Sequence, residues 1–145
     1  MTNESFSGGC LCGAVSYVVK GPVIGVNYCH CLKCRKASGS AFATTAAFSS
    51  SGFQITGGHE RVRNFESSAG KRRYFCGDCG SPIYSAHGDE PGSVYLRAGT
   101  LDGEPDLQPL VHLHTGEKAS WYEICLLYTS PSPRDQRGSR MPSSA

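Results

Sequence analysis

Residues 75–84 read Phe75-Cys76-Gly77-Asp78-Cys79-Gly80-Ser81-Pro82-Ile83-Tyr84, a C-x-x-C pair followed by glycine. Such a turn lets two thiolates converge on one ion, and a glycine directly after it supports a tight return of the chain. Structural zinc needs four ligands at tetrahedral corners, with Zn–S near ~2.3 Å, so one pair is half a site. The other half is Cys10-Leu11-Cys12, inside GGCLCGAVSY. Cys10, Cys12, Cys76 and Cys79 are therefore the expected structural-zinc set, a site that closes the long loop from Cys12 to Cys76.

Working outward, the third cluster is Cys29-His30-Cys31-Leu32-Lys33-Cys34, a C-x-C-x-x-C run inside YCHCLKCRKASGSAF. Its three thiolates can share a second ion. Three protein ligands and one open position is the usual arrangement of a catalytic zinc. The small-residue stretch Ala37–Ala41 leaves room beside it. Cys29, Cys31 and Cys34 are thus the candidate catalytic set, and two Zn2+ per chain is the expected complement. Other readings stay open. A disulfide framework is disfavoured by an odd count of seven and by pairs only two residues apart. All seven thiols could serve purely structural zinc, with His30, His59, His87 or another group completing the second site. A metal-free redox role for Cys29, Cys31 and Cys34 is the third.

Zinc with four thiolates carries −2 and with three carries −1. Lys71, Arg72 and Arg73 precede Cys76, and Lys33, Arg35 and Lys36 accompany the middle cluster, where cations offset thiolate charge. A solvated surface is the simpler account of any single lysine among them. Thiolate donation weakens the ion as a Lewis acid, so a three-cysteine site suits holding a substrate thiol or polarising a small carbonyl. His112 and His114 flank Leu113 on one side of a strand, read as an exposed face. His30 sits between two ligands and is expected to point away from the metal, as a support for the ligands. Ser38, Ser40, Thr44 and Thr45 read as ordinary polar positions.

No stretch keeps a 3.6-residue apolar period for three turns. Short β-branched or aromatic segments recur instead between Gly, Ser and Asn, and Ala14–Val19, Val23–Tyr28, Ala41–Phe48, Gly52–Thr56, Ser93–Ala98 and Leu110–His114 all read as strands. Only Leu32–Ser38 reads as helix. The expectation is a mostly β domain of short antiparallel strands, over residues 1–124 of the 145. No internal repeat is present. Residues 125–145, CLLYTSPSPRDQRGSRMPSSA, are rich in Ser, Pro and Arg. They read as a disordered or non-native, adapter-like tail that takes Cys125 with it.

The formal charge of +2 belongs to that tail, which holds three arginines and one aspartate. Taking these from the 14 basic and 12 acidic residues leaves 11 of each in residues 1–124. Nothing in the body asks for a nucleic acid or an anionic membrane. Residues Met1 to Gly9 show no basic n-region or apolar h-region, and no apolar run approaches the ~20 residues of a bilayer span. The expected location is the reducing cytoplasm, where clustered cysteines are more often ligands or catalytic groups than disulfides. The sequence leaves oligomeric state open.

GGCLCGAVSY, CHCLKCRKASGSAF, FCGDCGSPIYS, LRAGTLDG and HLHTGEKASWYEI together resemble the successive motifs of the glutathione-dependent formaldehyde-activating enzyme (GFA) family, which includes centromere protein V. The likeness runs in order from about Gly8 to Ile124. It implies an Mss4-like zinc-binding fold, mostly β, with structural zinc on Cys10, Cys12, Cys76 and Cys79 and catalytic zinc on Cys29, Cys31 and Cys34. It also implies a carbon–sulfur lyase that joins formaldehyde to glutathione, giving S-(hydroxymethyl)glutathione. The rival from another class is a zinc-stabilised binding module without turnover.

Overall fold

A computed structural model describes residues 4–107 and 110–124 of the chain. The expected tail at 125–145 lies outside these described residues. Ten strands and one α-helix follow in order: β1 (Ser5–Gly9), β2 (Ser16–Lys20), β3 (Gly25–Cys29), α1 (Leu32–Ser38), β4 (Ala43–Ser49), β5 (Phe53–Gly57), β6 (Val62–Ser68), β7 (Lys71–Cys76), β8 (Pro82–His87), β9 (Glu90–Arg97) and β10 (Leu110–Leu113). The mostly β expectation holds, and α1 has the bounds expected of it. Six expected strands correspond to β2, β3, β4, β5, β9 and β10, shifted at most a few residues.

The strands form a three-stranded sheet, β1-β2-β5, and a seven-stranded sheet, β10-β3-β4-β9-β8-β7-β6. All pairings are antiparallel except β10 with β3. That parallel pair requires a crossover, and here the crossover is most of the domain. It brings the His112 region back beside Cys29, to which Leu113 is the direct register partner.

β2 shows how the sequence specifies its sheet. Tyr17 and Val19 are buried while Ser16 and Lys20 are exposed, the period-two alternation of a half-covered strand. The buried side chains meet those of the larger sheet in one core containing Val15, Tyr17, Val19, Ile55, Phe48 and Leu96. Ring pairs join the layers, with Phe6–Phe48 centroids 5.5 Å apart and Phe53–Tyr84 4.7 Å apart. Each such side chain contributes about 1.5–3 kcal/mol by leaving water.

β1 reaches this core only because it carries glycine. A Cβ on Gly8 would stand 2.4 Å from both the Tyr17 hydroxyl and the Thr100 carbonyl oxygen. Tyr17 is thereby free to donate or accept a 2.7 Å hydrogen bond with Thr100 Oγ1.

The larger sheet has two distinct faces. Register aligns Val26, Ala46 and Leu96 across β3, β4 and β9, and all three are buried in the core. The same register aligns Asn27, Thr45 and Arg97 on the opposite face, in line with Cys29 two residues along β3. β4 is buried on both faces, which is why alanines fill it. The polar face positions the candidate site.

Candidate metal centres

Cys10, Cys12, Cys76 and Cys79 converge from the β1–β2 turn and the β7–β8 turn, with their sulfurs all within 4.8 Å of one another. Cys10 Sγ lies 3.7 Å from Cys12 Sγ, and Cys12 Sγ lies 3.8 Å from Cys76 Sγ. A tetrahedron with a ~2.3 Å metal–sulfur radius has edges of about 3.8 Å, so the spacing fits a four-thiolate ion. It is far beyond the ~2.05 Å of a disulfide, and all seven cysteines of the described residues are free.

Backbone and hydroxyl donors tune this cluster. The Val15 N–H donates to Cys10 Sγ over 3.3 Å and the Asp78 N–H to Cys76 Sγ over 3.3 Å. Ser81 Oγ lies 3.2 Å from Cys79 Sγ, and this hydroxyl, with backbone N–H groups of Ser81 and Cys12, pulls the Cys79 thiol down to about 5. Thiolate is the ligand form, so Cys79 and Cys10, both shifted downward, are the ready ligands, while neighbouring thiols hold Cys12 up at about 11 and Cys76 also upward.

Cys29, Cys31 and Cys34 form a second group, again within 4.8 Å. Cys29 ends β3, Cys31 caps α1, and Cys34 is buried one turn into the helix. Cys31 Sγ accepts from the Cys34 N–H at 3.4 Å, and Gly39, left-handed at φ 62°, stops the helix. Glu117 completes the N-terminus from outside, accepting the Leu32 N–H at 2.8 Å, while Arg35 donates to the Glu117 carbonyl at 3.0 Å. Among the described residues, no histidine or carboxylate joins either sulfur group.

Charge falls differently from the sequence expectation. Lys71 and Arg73 alternate with Arg72 along β7. Arg72 turns away to Asn64 and Glu66. Arg73 turns toward the three-cysteine group, its Nη2 lying 3.7 Å from Cys34 Sγ. The run preceding Cys76 thus serves the middle cluster rather than its own. Burial raises the Cys34 thiol, but hydrogen bonding by Cys29 and Arg73 outweighs this and the net shift is downward. Burial pushes Cys29 up to about 12.

The histidines also depart from expectation. His114 leaves the strand at φ 56° and starts a turn of 3-10 helix, Thr115–Glu117, so it does not share a face with His112. Among the described side chains of β10, Val111 and Leu113 are exposed and His112 faces inward. Its Nδ1 lies 2.9 Å from Nε2 of fully buried His30, and the rings stack at 5.1 Å. Phe42 packs on both. His30 points into this aromatic cluster, away from the thiols, and burial lowers its proton affinity. Sequence reasoning missed Arg97 and Asn27 as site-face residues, since their role follows from strand register alone.

Fold and side-chain geometry define a cysteine-rich β domain with two candidate metal sites. Residues 5–117 match the family described as glutathione-dependent formaldehyde-activating enzyme, and the chain belongs to that family. It is 29% identical over 100 residues to an uncharacterized lyase of Schizosaccharomyces pombe, covering 68% of this chain and 69% of that one. It is 27% identical over 128 residues to proteins of Aspergillus flavus and Aspergillus oryzae, each provisionally named a glutathione-dependent formaldehyde-activating enzyme. The match covers 83% of this chain and 60% of each of those two. A crystal structure of a Rhodobacter sphaeroides protein shares the fold, with TM-score 0.60 and 22% identity over 73% of this chain and 98% of that one. Among the described residues, no helix is long and apolar enough to cross a membrane.

Proposed function

We propose that the chain is a zinc-dependent carbon–sulfur lyase of the formaldehyde-activating type, carried by one domain over residues 1–124. It would join formaldehyde or another small aldehyde to glutathione or a related thiol, giving S-(hydroxymethyl)glutathione in the first case. The observation that carries the reading is the contrast between the two sulfur groups. One offers four donors, and the other offers three without a histidine or carboxylate among the described residues. Four thiolates close a tetrahedral ion, whereas three leave it a position for substrate.

Zinc held by Cys29, Cys31 and Cys34 would supply a Lewis-acidic position at which a thiolate or a carbonyl oxygen is stabilised. The chain's own residues account for the rest. Cys34 sits on α1 and Cys29 on β3, so the reacting groups would meet between the helix and the polar face of the sheet. Thr45 Oγ1 donates to Asn27 Oδ1 at 2.9 Å, which fixes that amide and leaves its N–H2 group able to donate. In the addition, sulfur forms a bond to the aldehyde carbon and the carbonyl π pair moves to oxygen. That oxygen takes up a proton equivalent to the one lost by the thiol. Holding both reactants in one site makes the step effectively unimolecular. The reducing cytoplasm is the compartment we assign, because it keeps the thiols available as ligands.

The test is two-dimensional exchange NMR of glutathione and formaldehyde at equilibrium, with and without the protein. The reading expects faster interconversion of free and hydroxymethylated glutathione, abolished in Cys31→Ser with the fold retained. Wild-type exchange rates in Cys31→Ser would contradict it. No acceleration by zinc-loaded protein would leave the family's fold serving as a binding module.

A further inference from the structure

Beside the three-cysteine group lies a pocket of about 260 Å³ between α1 and the polar face of the larger sheet. Arg73 and Arg97 reach its wall, Phe65 and Phe75 supply apolar surface, and Ala37 closes the helix side. Arg97 is 7% exposed. Its Nε and the Nη1 of Arg73 are buried without a hydrogen-bond partner. Buried guanidinium N–H groups left unpaired are costly, and they are rare in folded proteins unless a ligand uses them.

Electrostatics point the same way. Burial and repulsion from Arg73 weaken the hold of Lys71 and Arg97 on their protons, while the sulfurs of Cys29 and Cys34 restore part of it. Three cations therefore share one environment with the cysteine group. No ion pair among the described residues involves any of them. Zinc on three thiolates carries −1, so three cations leave an excess of about two positive charges. That excess matches a substrate bearing a thiolate and one further anionic group.

We infer that Arg73 and Arg97 bind the carboxylate of the thiol substrate in this pocket, which makes them the residues that select among thiols. The inference rests on the reading of Cys29, Cys31 and Cys34 as the substrate-binding metal site. Arg73 places the two subsites side by side, with Nη2 on Cys34 and Nη1 buried without a partner. Planar guanidinium groups suit a carboxylate better than an ammonium does, since two parallel N–H bonds match its two oxygens. The pocket lies just below the usual volume range for drug-sized ligands, so it holds a mercapto-acid or one carboxylate end of glutathione.

Calorimetric titration of the zinc-loaded full chain tests this with 3-mercaptopropionate, 2-mercaptoethanol, propionate and glutathione as probes. The expectation is that 3-mercaptopropionate binds about ten-fold or more tightly than 2-mercaptoethanol. Propionate binds measurably and competes with it. In Arg97→Gln this preference falls to near unity with zinc content unchanged, and Arg97→Lys restores part of it. Glutathione preferred over 3-mercaptopropionate would identify the carboxylate as that of the peptide, and the reverse would identify a mercapto-acid. Equal affinity of wild-type protein for 3-mercaptopropionate and 2-mercaptoethanol overturns the inference. So does a preference that survives in Arg97→Gln. Carboxylate preference without accelerated glutathione–formaldehyde exchange would sink the lyase reading and leave this one standing. Accelerated exchange without carboxylate preference would do the opposite.

Discussion

His30 Nε2 lies 2.9 Å from His112 Nδ1, so residues 82 positions apart share a hydrogen bond next to the three-cysteine group. One ring donates and the other accepts, which couples the tautomers of the two rings. The bond ties the loop between Cys29 and Cys31 to β10. His112→Phe keeps an aromatic ring against Phe42 but leaves the buried His30 nitrogen unpaired. The expected cost is about 1–3 kcal/mol, read as a lower urea midpoint at constant slope. Val111→Ser, on the outward face of the same strand, should change stability by less than about 0.5 kcal/mol. Equal effects of the two would show that the inward pair carries no weight.

Glu117 is a cap supplied in trans. It accepts the Leu32 N–H, and α1 has no acidic residue of its own in its first turn. Glu117→Ala should cost about 0.5–2 kcal/mol, as loss of a side-chain cap does. Because α1 carries Cys34, the variant should release metal from the three-cysteine group to a chelator faster than wild type. Release from the four-cysteine group should be unchanged. Parallel acceleration at both sites would refute the local role of the cap.

Tyr17 supplies a pH signature. Burial pushes its hydroxyl up to about 12, against an ordinary value near 10. The folded state thus favours the neutral phenol, and its contribution is complete below pH ~10, then fades as pH rises toward ~12. Tyr17→Phe should lose about 1 kcal/mol at pH 8 through the missing bond to Thr100 and then decline less steeply between pH 10 and 12. Tyr84, also pushed up to about 12 by burial, keeps some slope in the variant. Urea midpoints at pH 8, 10 and 11 decide it, and parallel curves would contradict the assignment.

Gly8 is where side-chain volume is forbidden. Gly8→Ala would bring a Cβ within 2.4 Å of the Tyr17 hydroxyl and the Thr100 carbonyl. The strand must shift or the Tyr17–Thr100 bond must break, at about 1–3 kcal/mol. A thermal midpoint equal to wild type would show that β1 is not held against Tyr17.

The sulfur groups were legible in the sequence because ligand spacing is a local property. Cys10 and Cys12, and Cys76 and Cys79, each need only a tight turn to converge. The helix at 32–38 was legible for the same reason, starting at a capping cysteine and ending at Gly39. Strands β1, β6, β7 and β8 were not read. β6 carries mostly polar side chains and β7 runs three cations into Tyr74, Phe75 and Cys76, so the apolar alternation that marks a half-buried strand is missing from both. β1 is rich in glycine and serine, and its pairing depends on a contact with Tyr17 rather than on its own pattern. The same limit hid Arg97, whose alignment with Thr45 and Asn27 is set by register between strands far apart in sequence. His112 was read on an exposed face because alternation gives two faces without saying which is covered. The parallel return of β10 beside β3 decides that.

The most direct test of the account is zinc per chain, by elemental analysis of anaerobically purified full-length protein, with native thiols titrated alongside. Two zinc ions, with none of the seven cysteines from Cys10 to Cys79 reacting, is the predicted result. It would match one four-thiolate site and one three-thiolate site. One zinc ion with Cys29, Cys31 and Cys34 reactive would mean that these three hold no metal, contradicting the proposed lyase site.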